Sequence, residues 1–341
     1  MNNKLPEAGM PASCEVAILI VTYNSAGEIG AQLDELQDGA RQHGWQVIVL
    51  DNASHDGTAD RVAELHPWVT LVRSEVNLGF AAGNNLAARH ARADLLVLLN
   101  PDARVSPSTI ARGAARMLAD PGIGIAGGRL LGSDGRDQPS GRLFPSMLND
   151  ALALSGLAAR FPRSRLFGRA DRTWADPSLA AAVDWVPGAF AFIRHDLFVQ
   201  LGGFDVRFFL YYEEVDLCRR IRALGLDVLY WPDLEVQHIG GVSARSVNRA
   251  SGETFSDSGS QLTLWRMRSG LLYYRKHHGW LAAWAVNRME AAWHALRAVR
   301  HRRSTSVERA AKHQHASHHV ATLHRAWRET MGGRVSPPTP W

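Results

Sequence analysis

The chain has few cysteines and no long hydrophobic run, and these absences exclude several classes of protein. Its 341 residues include two cysteines, Cys14 and Cys218, which lie far apart in the sequence and form no CxxC pair. A disulfide-rich scaffold and a cysteine-ligated zinc site are therefore disfavoured, and a reducing compartment is favoured. No apolar stretch approaches the length of about 18 residues that indicates a membrane span, and residues 1–16 lack the apolar core of a secretory signal. We therefore expect a cytoplasmic protein.

Two phosphate-binding motifs are also missing. No GxGxxG follows the first predicted strand and no GxxxxGK[ST] occurs in the chain, so a dinucleotide-dependent dehydrogenase and a P-loop ATPase are disfavoured. The composition, with 46% hydrophobic and 21% charged residues, is typical of a globular protein. A nucleotide bound by this protein therefore needs another group to neutralise its phosphates. A metal ion held by carboxylates is the usual one.

Short apolar runs alternate with helical patterns in the first half of the chain. Strands are predicted at residues 16–21, 47–50, 69–72 and 95–99, and helices at 27–43, 58–65 and 81–91. This alternation predicts βαβ units and a mostly parallel sheet. Polar clusters follow three of the strands, at 22–24, 51–54 and 100–102. Open α/β sheets bind ligands at the carboxyl ends of their strands, so a nucleotide is expected there.

The second half has a looser pattern up to residue 182, where loops and short helices are predicted. A strand is then predicted at 183–194, a helix at 212–224 and a short strand at 228–231. Three acidic residues, Glu213, Glu214 and Asp216, crowd the start of the predicted 212–224 helix. The helix dipole accounts for one or two of them. Like charges at this spacing raise one another's pKa, which suits a general base.

Positive charge is concentrated near the C-terminal end. The chain has 38 Lys and Arg against 33 Asp and Glu, and the excess lies after Arg266. Trp and Tyr are mixed with basic residues from Trp265 to Arg303, a pattern typical of helices that lie on an anionic bilayer. The alternative is that these aromatic residues pack onto the rest of the chain or onto a partner. The histidines of residues 313–319 either bind stray metal or, as we expect, form a solvated helix end.

The order and spacing of several motifs resemble glycosyltransferase family 2, an inverting family with the GT-A fold. The motifs are TYNS, LDNASHDGT, NLGFAAGNN, LLNPDA, WVPGAF and GGFDVRFFLYYEEVDLCRR, followed by a later histidine. The resemblance extends over residues 16–275 and is strongest to bacterial rhamnosyltransferases, which have NPD where many relatives have DxD. It implies an α/β GT-A fold, in which helices flank a mostly parallel central sheet, with a C-terminal helical extension.

This resemblance also implies a division of the chain. We expect a flexible N-terminus (1–14) and a GT-A catalytic domain (15–260), which consists of a nucleotide-binding half (15–125) and an acceptor-binding half (126–260). A basic amphipathic helical extension (261–330) and a disordered tail (331–341) are expected to follow.

The resemblance assigns nucleotide-sugar binding to residues that match the family's motifs. The nucleoside pocket is expected to be lined by Thr22, Tyr23 and Asn24, and the base and ribose to be contacted by Asp51 and Asn52. The loop over the nucleotide is expected to contain Asn77, Gly79, Phe80, Gly83 and Asn84, with Arg73 reaching the same region. The sugar and acceptor pocket is expected to be shaped by Trp185, Gly188 and Ala189.

The metal and the base are assigned in the same way. Asp102 matches the last acidic residue of the DxD motif and, with His238, is expected to hold Mg²⁺ or Mn²⁺ against the diphosphate; Asn100 replaces the first aspartate. From the residues alone, Asp102 is equally explained as a turn former. Glu214 occupies the position of the family's base, which is usually Asp, and Glu213 and Asp216 are its alternatives. The base takes a proton from the acceptor hydroxyl in a single displacement that inverts the sugar.

The predicted function is transfer of L-rhamnose from dTDP-L-rhamnose to a glycan or polyprenyl-diphosphate-linked acceptor in cell-surface polysaccharide synthesis. The expected location is the cytoplasmic face of the inner membrane, with a homodimer as a further partner. A UDP-sugar donor (galactofuranose, glucose or N-acetylhexosamine) and a non-catalytic, nucleotide-binding membrane scaffold remain alternatives. A nucleic-acid-binding protein is disfavoured because the basic excess is confined to the C-terminal part of the chain.

Overall fold

The computed structural model describes residues 14–239, 261–302 and 307–337. The strands are β1 (Cys14–Thr22), β2 (Gln46–Asn52), β3 (Thr70–Ser74), β4 (Ala93–Leu99), β5 (Ala103–Arg104), β6 (Ile123–Leu131), β7 (Ala181–Ala182), β8 (Phe190–Arg194) and β9 (Asp227–His238). The helices are α1 (Ile29–His43), α2 (Thr58–Leu65), α3 (Gly79–Ala88), α4 (Pro107–Ala119), α5 (Met147–Leu154), α6 (Leu157–Arg160), α7 (His195–Gln200), α8 (Glu213–Ala223), α9 (Gln261–His301) and α10 (Val307–Glu329).

All nine strands belong to one mixed sheet with the order β3-β2-β1-β4-β8-β6-β9-β5, and β7 pairs with β9. The four strands from β3 to β4 are parallel, as predicted. Strand β8 runs antiparallel to both of its neighbours, β4 and β6. Strands β6 and β9 are also parallel to each other. The parallel arrangement of β1, β2 and β4 brings their carboxyl ends to one edge of the sheet.

The sheet is buried on both faces. Along β1, Val16, Ile18 and Ile20 belong to one hydrophobic core, whereas Ala17 and Leu19 belong to a second core on the opposite face. Successive side chains of a strand point to opposite faces. A strand covered on both faces is therefore apolar at every position, which explains the continuous run that predicted it.

Two predicted strands differ from the observed ones. The predicted strand at 183–194 is observed only from Phe190, because Pro187 and Gly188 interrupt it, and proline cannot donate a hydrogen bond to a sheet ladder. The predicted strand at 228–231 is longer than expected, since β9 continues to His238. His238 pairs there with Ala103 of β5, which brings it beside the turn that follows β4.

The C-terminal extension consists of α9, which breaks at Gly279, and α10. The part of α9 before the break contains aromatic residues that were predicted to face a membrane. That prediction is wrong for Trp265, Tyr273 and Tyr274, whose exposed fractions are at most 3%. Tyr273 and Tyr274 belong to the core that also contains Leu217 of α8. These two rings are thus buried against α8 and the sheet, which is a favourable environment for aromatic side chains.

Residues 331–337 were assigned to the disordered tail but contact the rest of the molecule. Ser336 Oγ donates a hydrogen bond of 2.8 Å to the carbonyl of Arg207. Gly333 lies so close to Leu271 that an added Cβ would be 2.2 Å from the Leu271 carbonyl oxygen. The predicted flexible N-terminus up to residue 13, the end of the predicted catalytic domain (240–260) and residues 338–341 lie outside the described residues.

Among the described residues, each helix is too short or too polar to cross a bilayer.

Candidate active site

The ends of β1 and β2 form a polar cluster around Asp51, which is 3% exposed. The hydroxyl of Thr22 lies 3.2 Å from Asp51 Oδ1, and the backbone N–H of Ser54 donates a 3.0 Å bond to Asp51 Oδ2. Asn24 and Ala53 both adopt left-handed backbone conformations, with φ of 49° and 62°. This conformation is uncommon outside glycine and is often found at functional sites. The structure therefore brings together Thr22, Tyr23, Asn24 and Asp51, the residues predicted to bind the nucleoside.

The loop between β3 and α3 is held by asparagine side chains. Asn52 Nδ2 donates to Asn77 Oδ1 at 2.8 Å, and the backbone N–H of Leu78 donates to Asn52 Oδ1 at 2.7 Å. Asn77 Oδ1 also accepts a 2.9 Å bond from the N–H of Gly79. These amides fix the backbone of the predicted nucleotide loop.

The same loop is joined to the segment before α8. The N–H of Phe80 donates a 2.8 Å bond to the carbonyl of Phe209. In α3, Asn84 donates to the carbonyl of Phe80 at 3.0 Å. A Cβ at Gly83 would lie 3.0 Å from Val21 and Leu50, which shows how closely the helix packs on the strands. Gly83 and Asn84 thus set the position of the loop.

The predicted metal ligands meet at the end of β4. His238 Nε2 lies 3.4 Å from Asp102 Oδ1 and 3.3 Å from Asn100 Nδ2. On the other side of the ring, His238 Nδ1 is 2.9 Å from Gln138 Oε1, and Gln138 Nε2 donates to the His238 carbonyl at 2.9 Å. Gln138 Oε1 can only accept a hydrogen bond, so the neutral tautomer of His238 that fits this contact has its proton on Nδ1. In this tautomer Nε2 has a lone pair beside the Asp102 carboxylate. An imidazole nitrogen and a carboxylate oxygen that converge in this way suit a divalent cation.

Two glutamates begin α8, next to strained backbone. Tyr211 and Tyr212 both have φ of 70°, a left-handed conformation that non-glycine residues adopt at a cost of about 1–3 kcal/mol. Glu213 is 4% exposed and Glu214 is partly buried. Their Oε2 atoms are buried without a hydrogen-bond partner among the described residues. Such atoms are rare in folded proteins and often mark functional positions.

The same environment raises the pKa of both glutamates. Burial raises the pKa of Glu213 well above its usual value, and the charge of Glu214 raises it further. Burial also raises the pKa of Glu214, although the Arg142 guanidinium opposes this increase. Glu214 therefore ionises before Glu213. A carboxylate of this kind, with its proton affinity increased, is suited to accept a proton.

Gly188 and Ala189 connect the Asn100–Asp102 turn with Glu214. The N–H of Asn100 donates a 3.0 Å bond to the Ala189 carbonyl. A Cβ at Gly188 would lie 3.1 Å from the Phe80 ring and 3.9 Å from Glu214 Cβ. The nucleotide loop, the Asn100–Asp102 turn and the start of α8 therefore meet around this short segment, where a small residue leaves space.

Comparison with known proteins supports the resemblance to a glycosyltransferase family. The model of the family described as "Glycosyl transferase family 2" matches residues 17–174, which include the polar cluster and the Asn100–Asp102 turn. This part of the chain is similar to glycosyltransferase family 2. The resemblance, the enzyme class and the fold class predicted from the sequence are thus confirmed.

Sequence relatives of this glycosyltransferase include two rhamnosyltransferases. The N-acetylglucosaminyl-diphospho-decaprenol L-rhamnosyltransferase of Mycobacterium tuberculosis is 28% identical over 277 residues, which cover 78% of this chain and 86% of that protein. The rhamnosyltransferase WbbL of Escherichia coli K12 is 38% identical over 64 residues, which cover 19% of this chain and 24% of that protein.

Solved structures have the same fold at low sequence identity. The mannosyltransferase PcManGT of Pyrobaculum calidifontis, solved with GDP-Man and Mn²⁺, has a TM-score of 0.53 at 20% identity, covering 93% of this chain and 88% of its own. GalNAc-T7, solved with UDP, GalNAc and Mn²⁺, has a TM-score of 0.55 at 14% identity, covering 82% and 51%. These likenesses concern the fold alone.

Asp216 was expected as an alternative base and Arg73 near the nucleotide loop, but both residues form ion pairs elsewhere. Asp216 is fully buried, and its carboxylate is paired with Arg220 at 2.8 Å, Lys276 at 2.6 Å and His277 at 2.7 Å. Although burial raises it, the pKa of Asp216 is lowered overall by hydrogen bonds from His277 and Lys276. This carboxylate joins α8 to α9 and is poorly suited to act as a base. Arg73 is half exposed and pairs with Asp60 of α2 at 2.7 Å.

Three residues of the site of this glycosyltransferase were missed by sequence reasoning. Gln138 orients His238 from 100 positions away in the chain. The Arg142 guanidinium lies 4.4 Å from the centre of the Trp185 ring and acts on the pKa of Glu214. Burial raises the pKa of Glu28, and the nearby charge of Asp102 raises it further. No local pattern marks these residues, because each is brought to the site by distant chain segments.

Proposed function

We propose that this glycosyltransferase moves L-rhamnose from dTDP-L-rhamnose to a glycan acceptor carried on a polyprenyl diphosphate, with inversion at the anomeric carbon. The observation that carries the transfer chemistry is the carboxylate of Glu214, held beside Gly188 in the space between the nucleotide loop and the Asn100–Asp102 turn. The sugar and the acceptor are supported by the similarity to the mycobacterial rhamnosyltransferase, whose name specifies both. The thymidine nucleotide is part of this proposal.

Glu214 is the base in the proposed mechanism. It accepts the proton of the acceptor hydroxyl as that oxygen attacks the anomeric carbon of the sugar. The bond from this carbon to the nucleoside diphosphate breaks on the opposite face, so a single displacement inverts the configuration. Glu213 stays protonated next to Glu214, because burial and the Glu214 charge raise its pKa.

Asp102 and His238 would hold Mg²⁺ or Mn²⁺ in this proposal. The fit rests on the Nε2 lone pair of His238, which lies 3.4 Å from the Asp102 carboxylate oxygen. When bound, such a cation supplies positive charge against the diphosphate of the leaving group. Thr22, Asn24 and Asp51 would hold the nucleoside at the adjoining strand ends.

The proposal is tested by thermal unfolding with dTDP, UDP or GDP, each with and without Mn²⁺ or Mg²⁺. A ligand that binds only the native state raises the melting temperature. We expect dTDP with metal to raise it in the wild type but not in Asp102→Asn. Asp94→Asn is the matched control, because Asp94 lies exposed near the other end of β4. Stabilisation by UDP would contradict the thymidine donor. No stabilisation by any nucleotide would contradict the transferase mechanism.

A transfer assay separates the enzyme from a non-catalytic scaffold. Purified protein is incubated with dTDP-L-rhamnose, metal and a polyprenyl-diphosphate-linked N-acetylglucosamine, and the lipid product is followed by mass spectrometry. We expect one added deoxyhexose. Nucleotide binding without any transfer, with this or a UDP-sugar donor, would favour the scaffold.

We also propose that the part of α9 after Gly279 binds an anionic membrane surface. Exposed apolar residues recur at helical spacing on this part: Leu281, Trp284, Leu296 and Val299, with exposed fractions of 71%, 42%, 67% and 69%. Exposed arginines lie on the same part of the helix: Arg288, Arg297 and Arg300. Apolar side chains combined with positive charge suit a bilayer with anionic headgroups.

Co-sedimentation with vesicles tests this assignment. We expect binding to vesicles that contain phosphatidylglycerol, weaker binding to pure phosphatidylcholine, and loss of binding in Leu281→Glu. Leu179→Glu is the control, since Leu179 is 64% exposed elsewhere on the surface. Equal binding by both variants would contradict the assignment. A wild-type homodimer that Leu281→Glu dissociates, with no vesicle binding, would assign this face to a second copy of the chain.

A further inference from the structure

The histidine-rich stretch at residues 313–319 ends inside the protein, whereas the sequence predicted a solvated helix end. His319 is 7% exposed, and it faces Glu290 and His294 of α9, which are separated by one helical turn. His319 Nε2 lies 3.0 Å from Glu290 Oε1, and the rings of His294 and His319 are stacked with their centres 3.8 Å apart. Three side chains with metal-binding atoms therefore meet between α9 and α10.

Both histidines have an unsatisfied nitrogen. His294 is 6% exposed, and the Nδ1 atoms of His294 and His319 are buried with no hydrogen-bond partner in the described part of the chain. Buried polar atoms are nearly always paired, so two such nitrogens in adjacent rings need an explanation. A neutral imidazole has a lone pair on one ring nitrogen, and this is the atom that binds a metal ion.

We propose that Glu290, His294 and His319 bind Zn²⁺ and thereby clamp α9 to α10. One potential ligand atom from each residue lies within 4.8 Å of the others. Neighbouring ligands of tetrahedral Zn²⁺ are about 3.4 Å apart, as bond lengths near 2.1 Å require. To bind one ion, the three side chains must therefore rotate toward each other and the stacked rings of His294 and His319 must tilt apart. Two imidazoles and one carboxylate favour Zn²⁺, whereas Mg²⁺ prefers an octahedron of oxygen atoms.

A cavity next to the three ligands leaves room for a fourth. It has a volume of about 290 Å³ and lies between α5, the start of α8 and the C-terminal helices. Polar residues line it, among them Asp150, Arg266 and Asn287. A water molecule fits the fourth position and has polar partners there. Neither Asp102 nor His238 lines this cavity, so the zinc site is distinct from the proposed site for Mg²⁺ or Mn²⁺.

Metal content and Co²⁺ spectroscopy of the full-length, tag-free protein test the proposal. The protein is equilibrated with buffered Zn²⁺, and bound metal is measured by mass spectrometry. We expect one tightly bound Zn²⁺ per chain. Replacement by Co²⁺ should give the intense visible absorption of a four-coordinate ion. Zn²⁺ at a hundred times its Kd should increase the folding equilibrium constant about a hundred-fold, and the melting temperature should rise with it.

Three ligand variants and two controls complete the design. Glu290→Gln, His294→Gln and His319→Gln should each lose the Co²⁺ spectrum and at least ten-fold in Zn²⁺ affinity, since each removes a ligand. His318→Gln should bind Zn²⁺ as the wild type does, because His318 is exposed on the same helix. Asp102→Asn should also keep the zinc. Circular dichroism shows whether each variant is folded.

Two results would overturn the proposal. One is a wild type without stoichiometric Zn²⁺, which would leave Glu290 and His319 as an ion pair under the His294 ring. The other is equal Zn²⁺ binding by folded His294→Gln, His319→Gln and the wild type, which would assign the metal to exposed histidines.

Discussion

Replacement of Glu214 by glutamine is the most direct test of the proposed base. The amide keeps the shape of the side chain but cannot accept the acceptor's proton. Removal of a general base costs a factor of about 10²–10⁴ in rate, which corresponds to about 2.7–5.4 kcal/mol in the activation barrier. For Glu214→Gln we expect a loss in rate in the upper half of this range, about 10³–10⁴-fold. The adjacent carboxyl of Glu213 has a pKa raised well above its usual value, so it is protonated and cannot take over.

The assay is single-turnover transfer with donor and acceptor at saturating concentrations, combined with donor affinity from thermal shifts. Glu214→Gln should reduce the rate of transfer and leave donor affinity within about two-fold, because the base acts on the acceptor. A rate within ten-fold of the wild type would refute the assignment. If Glu213→Gln instead abolishes transfer while Glu214→Gln does not, Glu213 is the base.

The pH dependence of transfer gives an independent test. The base must be ionised, so wild-type activity should rise with pH through the raised pKa of Glu214. This rise, the acidic limb of the pH profile, should be absent from the residual activity of Glu214→Gln. Arg142→Met removes a positive charge that lowers this pKa, so the limb should shift to higher pH. Arg142→Lys keeps the charge and should leave the limb closer to its wild-type position.

Three further predictions concern stability. Gly79→Ala should lower the free energy of unfolding in urea by more than about 2 kcal/mol, because φ is 78° and a Cβ would lie 2.3 Å from the Phe209 carbonyl oxygen. Gly57→Ala, with φ of 83° but nothing within 4 Å, should lose only about 1–2 kcal/mol, and equal losses would contradict the steric argument. Asp216→Asn should cost about 1.5–3 kcal/mol at neutral pH, since it weakens charged hydrogen bonds to Arg220 and His277; Lys276 keeps its pair with Asp205. The lowered pKa of Asp216 means that this loss shrinks as pH falls below 3.8, and urea unfolding at several pH values measures it. Glu213→Gln should raise the melting temperature by an amount that grows as pH rises above 4.5, the ordinary pKa of a glutamate, because the raised pKa of the wild-type carboxyl makes its burial less favourable as pH rises; a constant difference would argue against that shift.

Local patterns predicted much of the nucleotide-binding half. The strands β1, β2 and β4 and the helix α2 lie close to their predicted positions, since buried strands and amphipathic helices have periodic signatures in the sequence. The second half was predicted less well. The length of β9 depends on its pairing with β6, and the burial of Tyr273 depends on its packing against α8. Such long-range contacts leave no local signal.

The candidate metal ligands at the Asn100–Asp102 turn show the same difference between local and long-range information. Asp102 and His238 were predicted together only through the family resemblance, because 136 positions separate them. Gln138, which orients the histidine, belongs to a loop without a recognisable motif. The register of β5 against β9 brings these residues together. A single sequence does not encode a register of this kind in any local pattern.

The sequence by itself indicated the resemblance to glycosyltransferase family 2, the sheet with polar strand ends and a cluster of three acidic residues at one helix start. Only the tertiary structure distinguished the three carboxylates. Successive residues of a helix point about 100° apart, so Glu213, Glu214 and Asp216 face different surroundings. The packing of α9 gives Asp216 its cations, whereas the contact with Gly188 brings Glu214 to the nucleotide loop. The helix sets the direction in which each side chain points, but the groups that surround it come from distant parts of the chain.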